Sequence, residues 1–395
     1  MSHIKILKFG GTSVSDAGAF ARAAQIVRDN RDAAVVVIAS AMNGVTDALI
    51  KSLHGAISRE ALDEHFERHL KAAELLDPDG VANCHAFVDE SRRQIFSLLD
   101  SGSRDPRTQD AVAAYGEMLS ARLFTMILEH DFVPATYVDA RRCILTDDHH
   151  GSANPLLPEV SRRTSLALNP LLEAKRVAVL GGFVGATATG ATSTLGRGSS
   201  DYSATLIGAA LRAAEIQIWT DVDGVQTADP AVVSATRTVP LISYQEAAQL
   251  AALGARVMHW KMIEPVIADR IPIAIRNSRA PEQRGTVIGA GSRRADGLIK
   301  AIAHHVNSEH AVIGCVGDGL SNGSAGAADV RRVLRELEPL LEWESTATSN
   351  LVTTVARDQV LDIVRRLHAR FFEDAYFRAA APAISSTSCE GDERP

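Results

Sequence analysis

The sequence predicts an α/β protein with a mostly parallel central sheet flanked by helices, followed by a small α+β unit. Short apolar runs alternate with helical patterns through the first 290 or so residues, which is typical of parallel strands joined by helical crossovers. The chain has 395 residues, which is longer than a domain with a single hydrophobic core usually is. A stretch rich in Gly, Arg and Pro over 280–297 then precedes a second, shorter set of patterns.

The first elements form a β-α-β unit. A strand is predicted over 4–8, a helix over 16–30 with Phe20, Ala23 and Val27 on one face, and a continuous apolar strand over 33–40. Such a unit implies parallel pairing with a right-handed crossover. Residues 49–130 then have a mostly helical, charged pattern. Further strands are predicted at 133–138, 176–181, 216–220 and 271–276, and helices at 201–214 and 244–258.

The second unit has its own strand and helix patterns. A strand begins at 311 and enters a glycine turn, and a helix, a strand and an amphipathic helix follow in "AADVRRVLREL", "LVTTVA" and "QVLDIVRRLHARFF". The closing residues are polar and have little to bury, so we expect them to be disordered. The predicted organisation is therefore an α/β domain over 1–292, a small α+β domain over 298–377 and a tail over 378–395.

Composition excludes several classes of protein. The net charge is −7 with both signs spread along the chain, so no basic face is available for nucleic acid. The four cysteines are isolated, as is usual for thiols in a reducing compartment. The N-terminus has no signal-peptide pattern, and no apolar stretch is seen that approaches the ~20 residues needed to cross a bilayer. We therefore expect a cytoplasmic protein with no nucleic-acid or membrane partner.

The turn after the first strand, "KFGGTSV", is a candidate phosphate site. Glycines allow backbone amides to approach an anion, and the start of the following helix adds donors and a positive dipole end. Lys8 adds a point charge. The residues alone fit a tight strand-to-helix turn equally well, and the usual nucleotide-binding signatures are missing.

Two later stretches carry polar residues at strand ends. "GGFVGATATGATSTLGRGSSDYSATL" (181–206) brings Arg197, Ser200 and Asp201 to the start of a helix, which provides anion donors and a carboxylate that can organise charge. "TDVDGVQTADP" (220–230) contains acids that could face a ribose or a metal, although turn formation is favoured for Asp229.

The run "DDHH" (147–150) contains four possible metal ligands. Adjacent residues seldom point at one ion, so a polar loop is the favoured interpretation.

Several motifs together resemble those of aspartate kinases, within the amino acid kinase superfamily. The motifs occur in the family's order and approximate spacing over residues 4 to about 290, and the segment from 298 to about 376 resembles an ACT domain. They are "KFGGTSV", "SAMNGVTDAL", "GEMLSARL", "GRGSSDYSA", "TDVDGVQTADP" and "ALGARVMHW".

The resemblance implies an amino acid kinase fold with a C-terminal ACT-like domain, and a set of site residues. Lys8 and Asp201 match the catalytic pair, in which Asp201 organises the lysine and Mg²⁺. Because the β-carboxylate of a substrate has a pKa near ~4, it arrives ionised and needs no general base. The residues implied for substrate binding are Ser40, Thr46, Glu117, Phe183, Arg197 and Ser200, with Glu117 at the ammonium and Arg197 and Ser200 at the α-carboxylate. Those implied for ATP are Lys8, Gly10, Gly11, Thr12, Ser13, Thr220, Asp221 and Arg256, and no separate metal-ligating set is assigned.

The implied reaction is ATP-dependent phosphorylation of the β-carboxylate of L-aspartate to 4-phospho-L-aspartate, the first step of the aspartate-family amino acid pathway. A homodimer formed through the ACT-like domain and a lysine or threonine effector are also implied. A kinase for a related acidic amino acid, or a catalytically weak amino-acid-sensing homologue, remain as alternatives. The sequence departs from the family pattern at Ser199, Ala231, Arg256 and Trp260, and it has Ser349-Asn350 where a Ser-Glu pair is usual.

Overall fold

The computed structural model describes residues 3–196, 198–255, 260–290, 299–317, 320, 325–337, 342–344 and 349–373. Arg197, Arg256 and the predicted tail therefore lie outside the described residues. The chain divides into two compact units. The first contains the described parts of Met1–Val225, Thr238–Ala251 and Arg256–Gly291, and the second those of Gln226–Arg237, Ala252–Ala255 and Ser292–Pro395.

The first unit is built on an eight-stranded sheet. Its neighbouring strands pair in parallel except for one antiparallel pair at 273–289, which confirms the predicted mostly parallel sheet. The strands are β1 (Ile4–Phe9), β2 (Ala34–Ala39), β3 (Ala135–Tyr137), β4 (Val177–Gly181), β5 (Val184–Ala186), β6 (Thr192–Thr194), β7 (Glu215–Thr220), β8 (Leu241–Ser243), β9 (Ile273–Asn277) and β10 (Thr286–Gly289). Their order is β3-β4-β2-β1-β7-β9-β10-β8, and β5 and β6 form a separate antiparallel hairpin.

Helices follow or connect these strands. The first begins after Asp16, whose side chain accepts a hydrogen bond from Ala19 N and so caps the helix. Phe20, Ala23 and Val27 are fully buried on one face, as predicted. The helices are α1 (Ala17–Asp29), α2 (Val45–Leu53), α3 (Arg59–Leu76), α4 (Val81–Asp100), α5 (Pro106–Ala113), α6 (Tyr115–His130), α7 (Leu157–Glu173), α8 (Ser200–Ala210), α9 (Tyr244–Ala252) and α10 (Glu264–Ile267).

An aromatic core lies between the central strands and the helices. Phe9 of β1 packs edge-on against Phe124 of α6 at 5.4 Å between ring centroids, and stacks on Trp219 of β7 at 6.4 Å. Phe20 of α1 adds an edge-on contact with Phe124 at 5.6 Å. Such pairs stabilise a core by about 0.5–1.5 kcal/mol each beyond burial alone. They make the end of β1 a rigid base for the turn that follows it.

One helical stretch in the described part of the chain is apolar and long enough to cross a membrane by length and composition. It covers the 25 residues Pro106–His130, but 72% of its most apolar window is buried inside the protein. This is the pattern of a helix packed in a protein core. The stretch was not predicted as a long apolar segment, because Glu117 and Arg122 interrupt the apolar run.

The second unit contains a three-stranded antiparallel sheet and two helices. Its elements are β11 (Ala301–Val306), β12 (Ala311–Val316), α11 (Ala325–Leu337), β13 (Asn350–Val355) and α12 (Val360–His368), with strand order β11-β12-β13. Strand β11 was not predicted. The segment 226–237 also belongs to this unit: Ala228 and Val233 are buried in its core, and Thr227 Oγ1 lies 2.9 Å from His368 Nε2.

A substitution in the turn between β9 and β10 tests the sheet's dependence on backbone geometry. Gly285 has φ +64°, and a Cβ there would overlap the carbonyl oxygen of Ile275. Gly55 has φ +70°, but a Cβ there would meet nothing within 4 Å. Gly55→Ala should therefore cost only the left-handed backbone penalty of about 1 kcal/mol in the free energy of unfolding, whereas Gly285→Ala should cost roughly 2 kcal/mol more. Urea denaturation followed by circular dichroism would measure both, and equal losses would contradict the packing described here.

Candidate active site

Lys8 and Asp201, predicted as a catalytic pair, lie in contact. Lys8 is next to last in β1 and pairs with Ile38 of β2 and Ile218 of β7, so its side chain lies at the carboxyl end of the sheet's centre. Its Nζ lies 2.6 Å from Oδ1 of Asp201, the second residue of α8. Lys8 is only 8% exposed. A buried ammonium held by one carboxylate can stabilise negative charge that develops beside it.

The turn after Lys8 is fixed by strand β7. Gly10 N donates to Trp219 O at 3.0 Å, and Ser13 N donates to Gly10 O at 2.8 Å. Residues 11–14 then form one short 3-10 turn. Of the four predicted amides, that of Gly10 thus binds strand β7 and that of Ser13 closes the turn, while among the described residues no acceptor in the chain is found for the amides of Gly11 and Thr12. These two amides are the donors that the turn can offer to an anion.

Ser278 supports this turn and was not predicted. Its Oγ lies 2.8 Å from Ser13 Oγ and donates to Thr220 O at 3.1 Å, and its N also donates to Thr220 O at 2.8 Å. Ser278 is 3% exposed and directly follows β9, the neighbour of β7. A hydroxyl residue close after the strand predicted at 271–276 was the signal that could have revealed it, since parallel strands bring their carboxyl ends to one edge.

One cavity of about 330 Å³ is lined by the described residues that were predicted to bind the substrate. This is within the size range of small-molecule sites. Gly11 of the turn also lines it, as do several residues that were not predicted, among them Asn43 and Asp110. The predicted residues that line the cavity are Ser40, Thr46, Glu117, Phe183 and Ser200.

Glu117 is the most perturbed acid of the cavity. It lies in the first turn of α6, is 5% exposed, and its Oε2 is buried without a hydrogen-bond partner. Burial raises the pKa of this carboxyl to about 8, although a hydrogen bond to the backbone of Ala41 and the charge of Lys8 act in the opposite direction. A buried acceptor without a partner is costly unless a ligand satisfies it. Glu117 is therefore suited to receive a cationic group.

Another wall of the cavity is formed where the end of β4, which packs against Glu117 at Gly181, meets the start of α8. A Cβ at Gly182 would lie 2.6 Å from the Cβ of Ser200, so only glycine allows this approach. Phe183 has φ +66°, and its N donates to Ser203 Oγ at 2.8 Å. These contacts hold Phe183 and Ser200 against the same cavity. Ser199 Oγ donates to Leu195 O at 2.9 Å.

The predicted nucleotide residues lie in part beside the turn. Thr220 ends β7, and its Oγ1 donates to Asp221 Oδ1 at 3.3 Å. Neither residue is among those that line the cavity. Arg256 and Arg197 lie outside the described residues. Asp229 accepts a hydrogen bond from Ala231 N at 2.9 Å, which confirms the predicted turn there.

The acidic and histidine run at 147–150 forms loop contacts. Asp147 accepts from His149 N at 3.2 Å and from Asn154 N at 2.9 Å, whereas His150 Nδ1 pairs with Asp110 Oδ2 at 2.8 Å. His149 contacts Asp147 whereas His150 contacts Asp110, so the residues of this run belong to two separate hydrogen-bond networks. Asp110 also accepts from Gly151 N at 3.0 Å, which fixes the loop at the edge of the cavity.

Comparisons with known proteins identify the family of the chain. The model of the amino acid kinase family matches residues 3–277. The lysine-sensitive aspartokinase 3 of Escherichia coli is 35% identical over 293 residues, which are 73% of this chain and 64% of that enzyme, so the chain spans just under two thirds of that relative's length. The aspartokinase of Chlamydia trachomatis is 34% identical over 302 residues, covering 75% of this chain and 68% of that protein.

A solved aspartokinase structure has the same fold as this chain. The crystal structure of E. coli aspartokinase III in complex with aspartate and ADP superposes with a TM-score of 0.82 at 25% identity, covering 93% of this chain and 100% of that one. The family match over most of the first unit and the matching fold lead to one conclusion. The chain belongs to the amino acid kinase family, in its aspartokinase branch.

Proposed function

We propose that the protein transfers the γ-phosphoryl group of ATP to the β-carboxylate of L-aspartate, giving 4-phospho-L-aspartate and ADP. The observation that carries the proposal is the cavity in which a buried acid with one unpartnered oxygen and the glycine turn after β1 are both present. Glu117 supplies the acid, Gly11 belongs to the turn, and the Lys8–Asp201 pair lies beside it. The related aspartokinases support aspartate as the acceptor.

In this reaction an oxygen of the aspartate β-carboxylate attacks the γ-phosphorus, and the bond from that phosphorus to the β–γ bridging oxygen breaks. The carboxylate is ionised at neutral pH, so no protein group has to remove a proton. The task of the chain is to hold two anions in line and to stabilise the charge on the moving group. Lys8 stabilises the charge on the moving group, and Asp201 orients the Lys8 ammonium.

Mg²⁺ and ATP fit the residues that are present. Mg²⁺ is usually held by one or two carboxylates together with substrate phosphates and water. The described residues contain no cluster of three or more His, Cys, Asp or Glu side chains, but Asp201 provides one carboxylate beside the turn. When bound, the ion would neutralise charge on the phosphates. The amides of Gly11 and Thr12 would hold the phosphates, with Thr220 and Asp221 on the nucleotide side.

The proposal extends to regulation, assembly and location. The second unit, an antiparallel sheet with two helices, is proposed as an ACT-like domain that binds lysine or threonine and forms a homodimer; the E. coli relative is named lysine-sensitive. A cytoplasmic location agrees with the buried, unpaired thiols of Cys84 and Cys143, whose pKa values burial raises to about 12. Such thiols react little with oxidants.

Removal of Lys8 should abolish most of the activity. Lys8→Ala leaves developing charge on the phosphoryl group without its ammonium, so kcat should fall by about 10²- to 10³-fold in a hydroxamate assay with Mg-ATP and aspartate. Lys5→Ala is a matched control on the same strand, because Lys5 pairs with the surface residue Asp32. Lys5→Ala should keep wild-type kcat. Full activity of Lys8→Ala would remove Lys8 from the mechanism.

The raised pKa of Glu117 predicts a pH dependence of substrate binding. Below about pH 8 the carboxyl of the free enzyme is protonated and cannot pair with the ammonium of aspartate, so kcat/KM for aspartate should rise as pH increases through about 8. Glu117→Gln should flatten this profile and raise the KM for aspartate, while the KM for ATP stays within about twofold of wild type.

An exposed glutamate on α3 provides the control for this experiment. Glu74→Gln should leave both the pH profile and the two KM values unchanged, because Glu74 lies on the solvent face of its helix. If the Glu117→Gln variant kept the wild-type ionisation in kcat/KM, another group would be responsible, and the assignment of Glu117 to the ammonium would be wrong.

A further inference from the structure

Two loops of the candidate site follow neighbouring strands and lie against each other. The phosphate turn, residues 10–15, follows β1, and the pocket loop, residues 40–44, follows β2. Asn43 N donates to Gly11 O at 3.2 Å. A Cβ at Gly11 would lie 2.9 Å from Ala41 O, so the two backbones approach as closely as glycine permits. The phosphate turn faces the proposed nucleotide, and the pocket loop lines the cavity proposed for aspartate.

Arg68, on helix α3, joins the two loops from outside the cavity. Its Nη1 donates to Asn43 O at 2.8 Å and its Nη2 donates to Ser15 O at 2.9 Å. The planar fork of arginine can serve two carbonyls in fixed geometry, which an ammonium cannot do. Arg68 is half-buried and is not among the residues that line the cavity.

Among the described residues, no carboxylate forms an ion pair with Arg68; instead its partners are backbone carbonyls and one imidazole. Nη1 lies 3.3 Å from Nδ1 of His65, one turn earlier on α3. Burial and the charge of Arg68 lower the pKa of His65, so its ring is neutral near pH 7 and can accept this hydrogen bond. The guanidinium is thus held in place by its own helix while it spans the two loops.

We infer that Arg68 is a positioning residue that sets the separation between the phosphate turn and the pocket loop, and so between the two substrates. This inference rests on the proposed function. The pocket loop is also bonded to the phosphate turn through Asn43 N and Gly11 O at 3.2 Å, and to helix α6 through Met42 N and Ser120 Oγ at 3.0 Å, whereas Arg68 holds the carbonyl of Asn43. In-line transfer is sensitive to displacements of about 1 Å, which can cost 10²-fold in rate.

The test compares Arg68→Ala and Arg68→Lys with Arg92→Ala. Arg92 is a matched control, because it also reaches α3, where it contacts Asp63 at 3.2 Å and stacks over Phe66, but it touches neither loop. For Arg68→Ala we expect kcat for aspartate phosphorylation to fall by about 10- to 100-fold. The KM values for aspartate and ATP should change less than threefold, since the groups that contact the substrates are intact. Arg68→Lys should restore little, and Arg92→Ala should keep wild-type kcat.

Two readouts separate positioning from a general loss of stability. Millimolar guanidinium chloride should recover part of the kcat of Arg68→Ala, and sodium chloride at equal ionic strength should not. Hydrogen exchange should increase at residues 10–15 and 40–47 in Arg68→Ala but not in Arg92→Ala. Wild-type kcat in Arg68→Ala, or equal exchange in both variants, would overturn the inference. If the wild-type protein did not phosphorylate aspartate, the proposed function would fail, and the exchange comparison would still decide the role of Arg68.

Discussion

The contact between Lys8 and Asp201 is the interaction on which the candidate site depends. It places a positive charge with little exposure to water at the point where β1 ends and α8 begins. In such a place a charge acts more strongly than in bulk water, because less solvent screens it. The cost of burying the ammonium is offset by the carboxylate at 2.6 Å. The pair therefore couples the phosphate turn to the helix that carries Ser200, and it holds both in one arrangement.

The central sheet determines where the loops of the candidate site lie. Strands β4, β2, β1 and β7 are adjacent, and their parallel registers bring Gly181, Ala39, Phe9 and Trp219 to the same edge. Each strand is followed by a loop that contributes to the site, as expected for the carboxyl ends of a parallel sheet. The Phe9 and Trp219 rings stack beneath the phosphate turn, so the turn rests on a packed core and its two available amides keep a fixed direction.

The sequence predicted those parts of the site that lie in short motifs. Lys8 lies just before a glycine turn and Ser200 at the start of a helix, where polar residues indicate a site, whereas Glu117 was predicted through the family resemblance alone. Ser278 follows the strand predicted at 271–276, but the sequence does not show that it meets the carbonyl of Thr220. Arg68 could not be predicted, because it donates to backbone carbonyls of segments distant in sequence, and only the folded chain shows which ones. For the same reason a pattern of strands and helices could not show that 226–237 packs in the second unit, where Thr227 meets His368.

A crystal structure of the protein with ADP, aluminium fluoride and aspartate would test the central claim most directly. We predict that the fluoride group, which occupies the place of the moving phosphoryl group, lies within hydrogen-bonding distance of Lys8 Nζ, and that the ammonium of aspartate lies against Oε2 of Glu117. Both ligands would then share the cavity that Gly11 and Ser200 line. Nucleotide and amino acid bound in separate cavities, with Lys8 contacting neither, would contradict the account.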